Sequence, residues 1–133
     1  MVKQKVFLSY SHKEADWAKE FAKALADHDV QVWIDQFEVK AGEPVSQAIE
    51  KGLRESDLFV VLIDPDNVKT PSLLFELGAA IGMGKRVVAI VPKDFDPSKL
   101  PLPLRARRFL VKERPSTTAN ELVEVEQPSR QDA

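Results

Sequence analysis

A chain of 133 residues is long enough for one domain with a substantial core, and 44% hydrophobic with 30% charged residues is ordinary for a soluble globular protein. The formal net charge of −2 provides no general attraction to nucleic acid or to an anionic membrane, so neither is predicted as a partner. The absence of cysteine excludes disulfides, thiolate catalysis and thiolate metal sites, and no apolar run reaches the ~20 residues that cross a bilayer. Because the N-terminus runs directly into a strand pattern, a secretory signal is not expected, and the protein is predicted to be cytoplasmic.

The first third of the chain predicts a strand, a helix and a second strand. Residues 6–10 are apolar and turn abruptly polar, and Ser11 with Glu14 three residues later has the spacing of a capping box, so a helix is expected to begin there. No glycine follows this helix, and Asp29 is expected to take the left-handed conformation instead. Residues 31–35 predict the second strand. The core face of the helix is predicted to consist of Trp17, Ala18, Phe21, Ala22 and Leu25.

The middle of the chain contains a polar loop, a helix and two buried strands. Residues 37–43 are predicted to form the loop, with Gly42 as its flexible point, and a helix is predicted from Pro44 to Leu53. Residues 58–63 and 86–91 are unbroken apolar runs, which is typical of strands covered on both faces.

Between those two strands lies a helix that carries a single charged residue, Glu76. Thr70 can cap its first turn, Pro71 suits the first helical position, and Gly82 and Gly84 provide a stop. Helical spacing places Glu76 at the border of the apolar stripe, with small residues one turn away and no cation to pair with it. Two interpretations stay open: a solvated helix glutamate, or a partly desolvated carboxylate on the floor of a cleft. The apolar stripe consists of Leu73, Leu74, Leu77, Ala80 and Ile81.

The C-terminal third predicts a proline-rich loop, a short strand at residues 108–111 and a last helix. Thr118 and Glu121 have the spacing of another capping box, at which that helix is expected to begin. The basic residues between 105 and 114 are interpreted as a solvated rim. The domain is predicted to span residues 1–126, and residues 127–133 to be a polar tail that is disordered or a linker to a further domain.

Five strands that alternate with helices predict an α/β fold, a parallel sheet with helices on both faces. Ligands of such sheets bind outside the carboxyl ends of the strands. Three segments are predicted at that edge: residues 9–11, Asp35 with its loop, and the connection from residue 64 to Glu76.

Several chemistries lack their sequence motifs. The turn after the first strand contains neither GxGxxG nor a P-loop, and it lacks the paired acids of a phosphoacceptor receiver domain. The two histidines, His12 and His28, are interpreted as exposed helix-end residues, and no HExxH or comparable set exists, so no metal site is predicted.

Four segments in order resemble the successive boxes of a bacterial-type TIR (Toll/interleukin-1 receptor) domain, over about residues 4–125. They are residues 6–11, residues 32–35, the loop that contains Gly42, and residues 72–77. The resemblance implies the flavodoxin-like TIR sandwich with a five-stranded parallel sheet. Many members of this family cleave NAD at the nicotinamide–ribose bond with a glutamate that Glu76 matches, whereas others are adaptors that only assemble with further TIR domains.

The resemblance also implies a set of site residues around Glu76 as the catalytic carboxylate. NAD is expected as substrate and no cofactor is expected, with ADP-ribose or a cyclic isomer as product and self-association with other TIR domains as a condition for activity. A nucleoside-processing transferase that depends on one glutamate is a weaker alternative. Many family members carry a tryptophan at the position of Ser72. This chain therefore differs from the family pattern in the wall of the substrate pocket that the resemblance implies. The candidate substrate-binding residues are Ser9, Tyr10, Ser11, Trp33, Asp35, Phe37, Gly42 and Ser72.

Three of these candidates have an equally simple structural interpretation. Trp33 lies mid-strand among apolar neighbours and is expected in the core. Asp35 can be a strand-end acid that fixes the loop, and Ser11 can act only as a helix cap.

Overall fold

The computed structural model describes residues 4–36, 47–66, 68, 70–105 and 109–126 of the chain. Its centre is a five-stranded parallel sheet with the strand order β2-β1-β3-β4-β5, which confirms the predicted fold class. The strands are β1 (Lys5–Tyr10), β2 (Gln31–Gln36), β3 (Leu58–Leu62), β4 (Arg86–Val91) and β5 (Phe109–Val111). The helices are α1 (Ala15–Ala26), α2 (Gln47–Glu55), α3 (Pro71–Gly82), α4 (Leu102–Arg105) and α5 (Pro115–Glu126).

Helices cover both faces of the sheet, so the core has two layers. Along β1, Leu8 and Tyr10 pack with Phe21 of α1, whereas Phe7 packs on the opposite face with Leu73 of α3. Because the central strands are covered on both sides, every residue of β3 is buried and the strand reads as one apolar run. Within the described segments, no helix is long and apolar enough to cross a membrane.

The predicted starts and ends of helices are confirmed where they depend only on residues close in sequence. The Thr70 side chain accepts a hydrogen bond from the Leu73 N–H at 3.3 Å, and Pro71 occupies the first helical position. Asp29 has φ of 61°, the left-handed conformation expected in place of glycine, and Gly84 follows α3 with φ of 76°.

Both predicted capping boxes are wrong. Ser11 makes no capping hydrogen bond, a short 3-10 turn at His12–Glu14 comes first, and the Glu14 carboxylate instead pairs with Lys112 at 2.8 Å. The last helix begins at Pro115, not at Thr118, and the Thr118 hydroxyl accepts a hydrogen bond from the Glu113 N–H at 2.9 Å.

Helices α1 and α5 join the two ends of the fold. The Trp17 indole N–H donates to the Glu113 carbonyl at 2.9 Å, and the His28 imidazole lies 2.6 Å from the Asn120 side-chain oxygen. Together with the Glu14–Lys112 pair, these contacts lock the first helix against the last strand and helix.

The predicted proline-rich loop needs a correction, and several other predicted segments lie outside the residues that the structure describes. The proline-rich segment is not simply a loop, because it contains a 3-10 turn at Pro97–Lys99 and the short helix α4. The predicted loop at residues 37–43, the first part of the helix predicted from Pro44, and the tail at 127–133 lie outside the described residues.

The outer face of α3 departs from the predicted stripe. Leu73, Leu77 and Ala80 are buried as expected, but Leu74 is 45% exposed and its neighbour Phe75 is 55% exposed. The helix therefore presents an apolar surface to solvent as well as one to the core.

Candidate active site

The Glu76 carboxylate is buried at the carboxyl edge of the sheet. The residue is 1% exposed on the second turn of α3, and its Oε1 accepts a hydrogen bond from the Ser9 hydroxyl at 3.4 Å. Ser9, itself fully buried, occupies a position of β1 that faces α3 because alternate residues of a strand point to opposite faces. The interpretation of Glu76 as a solvated helix residue is wrong, and burial of a carboxylate is costly enough to require a reason.

A second buried carboxylate belongs to Asp64, a position that the sequence placed at this edge but did not include among the candidate site residues. It lies two residues after the end of β3, and its Oδ2 accepts a hydrogen bond from the Ser11 hydroxyl at 2.6 Å. Its Oδ1 accepts from the Asp66 backbone N–H at 2.7 Å. An acidic residue at the end of an unbroken apolar strand was the available signal, since that position is the carboxyl edge of the sheet.

An exposed ion pair links the same two segments further out. Lys13 follows β1 and its ammonium group pairs with the Asp66 carboxylate. The hydrogen bond that the Lys13 ammonium donates to the Asp66 carboxylate, and then the negative charge of that carboxylate, hold the pKa of Lys13 above its usual value. Since both side chains are well exposed, water screens this pair strongly.

One of the predicted substrate-binding residues, Tyr10, lies on the other face of the sheet, and another, Trp33, lies on the edge strand beside α2. The Tyr10 side chain is buried in the core layer beneath α1, on the face of the sheet opposite to Glu76. Trp33 is 41% exposed, so the expectation that it belongs to the core is wrong. Trp33 belongs to the edge strand β2, two residues before Asp35, and its indole packs against Gly52 of α2.

The other candidates are placed only by their backbone or not at all. Asp35 pairs in register with Ser9 across β1 and β2, and Ser72 lies in the first turn of α3. Phe37 and Gly42 lie outside the described residues. The roles of these four residues stay predictions.

A cavity of about 1020 Å³ lies on the same edge but at the ends of β3 and β4. Its described lining includes Asp66, Phe95 and Arg105, whereas Glu76 is not part of it. The cavity and the buried Glu76 carboxylate are therefore two separate features of this edge of the sheet. No group of three or more histidine, aspartate or glutamate side chains among the described residues is arranged to hold a metal ion.

Comparison with known families agrees with this architecture. Residues 6–123 match the family model for the TIR domain, and the chain therefore belongs to the TIR domain family.

Two curated relatives are named as cyclic ADP-ribose synthases. The 2′ cyclic ADP-D-ribose synthase BtTIR of Bacteroides thetaiotaomicron is 30% identical over 76 residues, which cover 56% of this chain and 26% of the relative. The 2′ cyclic ADP-D-ribose synthase AbTIR of Acinetobacter baumannii is 31% identical over 77 residues, 57% of this chain and 29% of the relative. The match thus spans less than a third of the length of either relative.

Solved structures share the fold at low sequence identity. The TIR domain of the Toll-related receptor TRR-2 from Hydra magnipapillata superposes with a TM-score of 0.68 at 16% identity, covering 92% of this chain and 98% of that one. The TIR domains of the activated Roq1 resistosome give 0.58 at 20% identity, with 98% and 76% covered. The Clostridium botulinum CMP N-glycosidase BcmB gives 0.64 at 15% identity, with 90% and 99% covered. These three likenesses establish the fold alone.

Proposed function

We propose that this TIR domain cleaves NAD⁺ at the bond between nicotinamide and ribose, with Glu76 as the catalytic carboxylate. The observation that carries the proposal is the burial of Glu76 beside Ser9 at the carboxyl edge of the sheet. Charged side chains are rarely buried without a specific role, and ligands of parallel α/β sheets bind at this edge. The names of the two curated relatives support the same chemistry.

The reaction suits a single carboxylate. The nicotinamide ring of NAD⁺ carries the positive charge, so it departs as a neutral base with the electrons of the C–N bond and needs no general acid. The ribose carbon left behind develops positive charge, which a nearby anion stabilises electrostatically or as a transient nucleophile. A water oxygen then bonds to that carbon and loses a proton, giving ADP-ribose. Alternatively, an acceptor atom of the same molecule bonds to that carbon and gives a cyclic isomer.

The decisive experiment compares Glu76→Gln with wild-type protein. Replacing the carboxylate by a neutral amide of the same shape should reduce nicotinamide release by roughly a hundredfold or more, while circular dichroism stays unchanged. Glu20→Gln is the matched control, because Glu20 is an exposed glutamate of another helix and should keep full activity. Turnover retained by Glu76→Gln would contradict the catalytic assignment, and chromatography of the products distinguishes linear from cyclic ADP-ribose.

A non-catalytic interaction module is the second candidate. It is favoured by the outer face of α3, where Leu74 and Phe75 are exposed and apolar. The same incubation separates the two candidates, since an interaction module releases no nicotinamide at any protein concentration. A parallel incubation with CMP and with nucleosides tests the nucleoside-processing alternative.

A further inference from the structure

Asp64 joins two chain segments that leave the sheet at its carboxyl edge. The backbone register between β1 and β3 ends with Ser9 opposite Val61. Beyond that point, the hydrogen bond of 2.6 Å from the Ser11 hydroxyl to Asp64 Oδ2 continues the connection between the two strands. Asp64 is 5% exposed, so water does not compete freely for this bond.

The second oxygen of Asp64 shapes the start of the connection to α3. Oδ1 accepts the hydrogen bond of 2.7 Å from the Asp66 N–H, an arrangement that fixes the turn of the chain after β3. One carboxylate therefore holds the segment that carries Ser9 and the segment that leads to Glu76. A hydroxyl that donates to an ionised carboxylate makes a short bond, about twice as strong as a neutral one, and the observed distance is in that range.

From this geometry we propose that Asp64 is a positioning residue for the reaction at Glu76, acting through Ser11 and the chain turn at Asp66. The inference rests on the proposed NAD⁺ cleavage. Asp64 sets the spacing between the end of β1 and the start of the α3 connection, and thereby the approach of Ser9 to Glu76. Misplacement of a reacting centre by about 1 Å can lower the rate by about a hundredfold. We therefore expect the loss of Asp64 to lower kcat more than it changes KM.

The exposed Lys13–Asp66 pair provides the control for this assignment. It spans the same two segments, but both side chains are largely in water. Exposed pairs contribute little, so the loss of this one should leave the spacing intact.

The experiment measures kcat and KM for NAD⁺ in Asp64→Ala, Asp64→Asn and Lys13→Gln. We expect Asp64→Ala to lower kcat by roughly tenfold to a hundredfold while KM changes less than about threefold. The asparagine variant keeps an oxygen for the Asp66 N–H and can exchange a hydrogen bond with Ser11, so it should stay within about threefold of wild type. The lysine variant should match wild type. A purely structural role would lower the melting temperature and leave kcat per folded molecule unchanged.

Several results would overturn the assignment, and each differs from a failure of the proposed function. A wild-type protein that releases no nicotinamide contradicts the function itself. An active wild type with an unchanged kcat in Asp64→Ala, or equal losses in the alanine and asparagine variants, contradicts positioning by hydrogen bonds. If Asp64→Ala does not fold, Ser11→Ala removes the same link from the other side. A lowered kcat there supports the assignment, whereas a raised KM with intact kcat overturns it.

Discussion

At the scale of single residues, the main question is why this fold tolerates a buried glutamate. Placing a carboxylate away from water carries a large desolvation cost, and the Ser9 hydroxyl offsets part of it. The helical pattern places Glu76 at the border of the stripe, but only the pairing of β1 next to β3 brings Ser9 beneath it. Helical spacing alone could not decide between a solvated and a desolvated Glu76, because the burial depends on two residues that are 67 positions apart.

Ser9→Ala tests the contribution of that hydroxyl. We expect the variant to lose about 1 kcal/mol of unfolding free energy, because a hydrogen bond to a buried charged group is lost without a replacement. NAD⁺ cleavage should also fall, by about fivefold if that energy is expressed in the transition state. Urea denaturation and nicotinamide release provide the two measurements. Ser116→Ala, at an exposed position of α5, is the control, and identical behaviour of the two variants would contradict the prediction.

At the scale of helices and strands, a local capping pattern was reliable only where no residue distant in sequence engaged the capping side chain. Thr70 and Pro71 start α3 as predicted because the Thr70 hydroxyl and its donor, the Leu73 N–H, are only three residues apart. Ser11 and Thr118 have equally good local patterns, but Ser11 is engaged by Asp64 and Thr118 by the Glu113 N–H. A hydroxyl pattern thus indicates a cap only when the fold offers it no better partner.

The contact between β2 and α2 leads to a prediction whose sign depends on the background. A Cβ added at Gly52 would lie 2.7 Å from Cε2 and Nε1 of Trp33, which forces the indole to move. Gly52→Ala should therefore destabilise the wild-type protein by roughly 1–3 kcal/mol through overpacking, and should change the tryptophan fluorescence.

The same substitution should be favourable where the clash is absent. In a Trp33→Ala background, Gly52→Ala should stabilise by about 1 kcal/mol, because alanine is the better helix former. Gly78→Ala is the matched control in α3, where an added Cβ meets nothing within 4 Å. Destabilisation of equal size in both backgrounds would show that Trp33 is not the cause.

At the scale of the whole molecule, the pattern of apolar runs was sufficient for the architecture. Two unbroken strands and alternating helices predict a parallel sheet covered on both faces, and the observed strand order is of that type. The family resemblance added the prediction that Glu76 is the catalytic carboxylate. Neither source could place residues 37–43 relative to the site, because a polar stretch of sequence has no periodic apolar pattern that predicts its position.

Assembly is the prediction that belongs to this scale. Electrostatic stabilisation of a ribosyl cation weakens in bulk water, so we expect a second TIR copy to complete the enclosure of the site. Activity per molecule should then rise with protein concentration, alongside larger species in light scattering. Gly42→Pro should reduce both by restricting the loop. Constant activity per molecule from nanomolar to high micromolar concentration, without larger species, would show that one subunit is sufficient.

The contacts between α1 and α5 affect how the chain folds during synthesis. Phe21 and Leu25 of α1 belong to the same core layer as Leu122 of α5. The apolar face of α1 therefore stays partly uncovered until α5 has left the ribosome. Trp17 likewise finds its acceptor, the Glu113 carbonyl, only after residue 113 has left the ribosome. The β1 and β3 segments can pair early, but the layer beneath α1 closes last. A nascent chain that stalls before residue 115 therefore exposes an apolar helix face to chaperones and to aggregation.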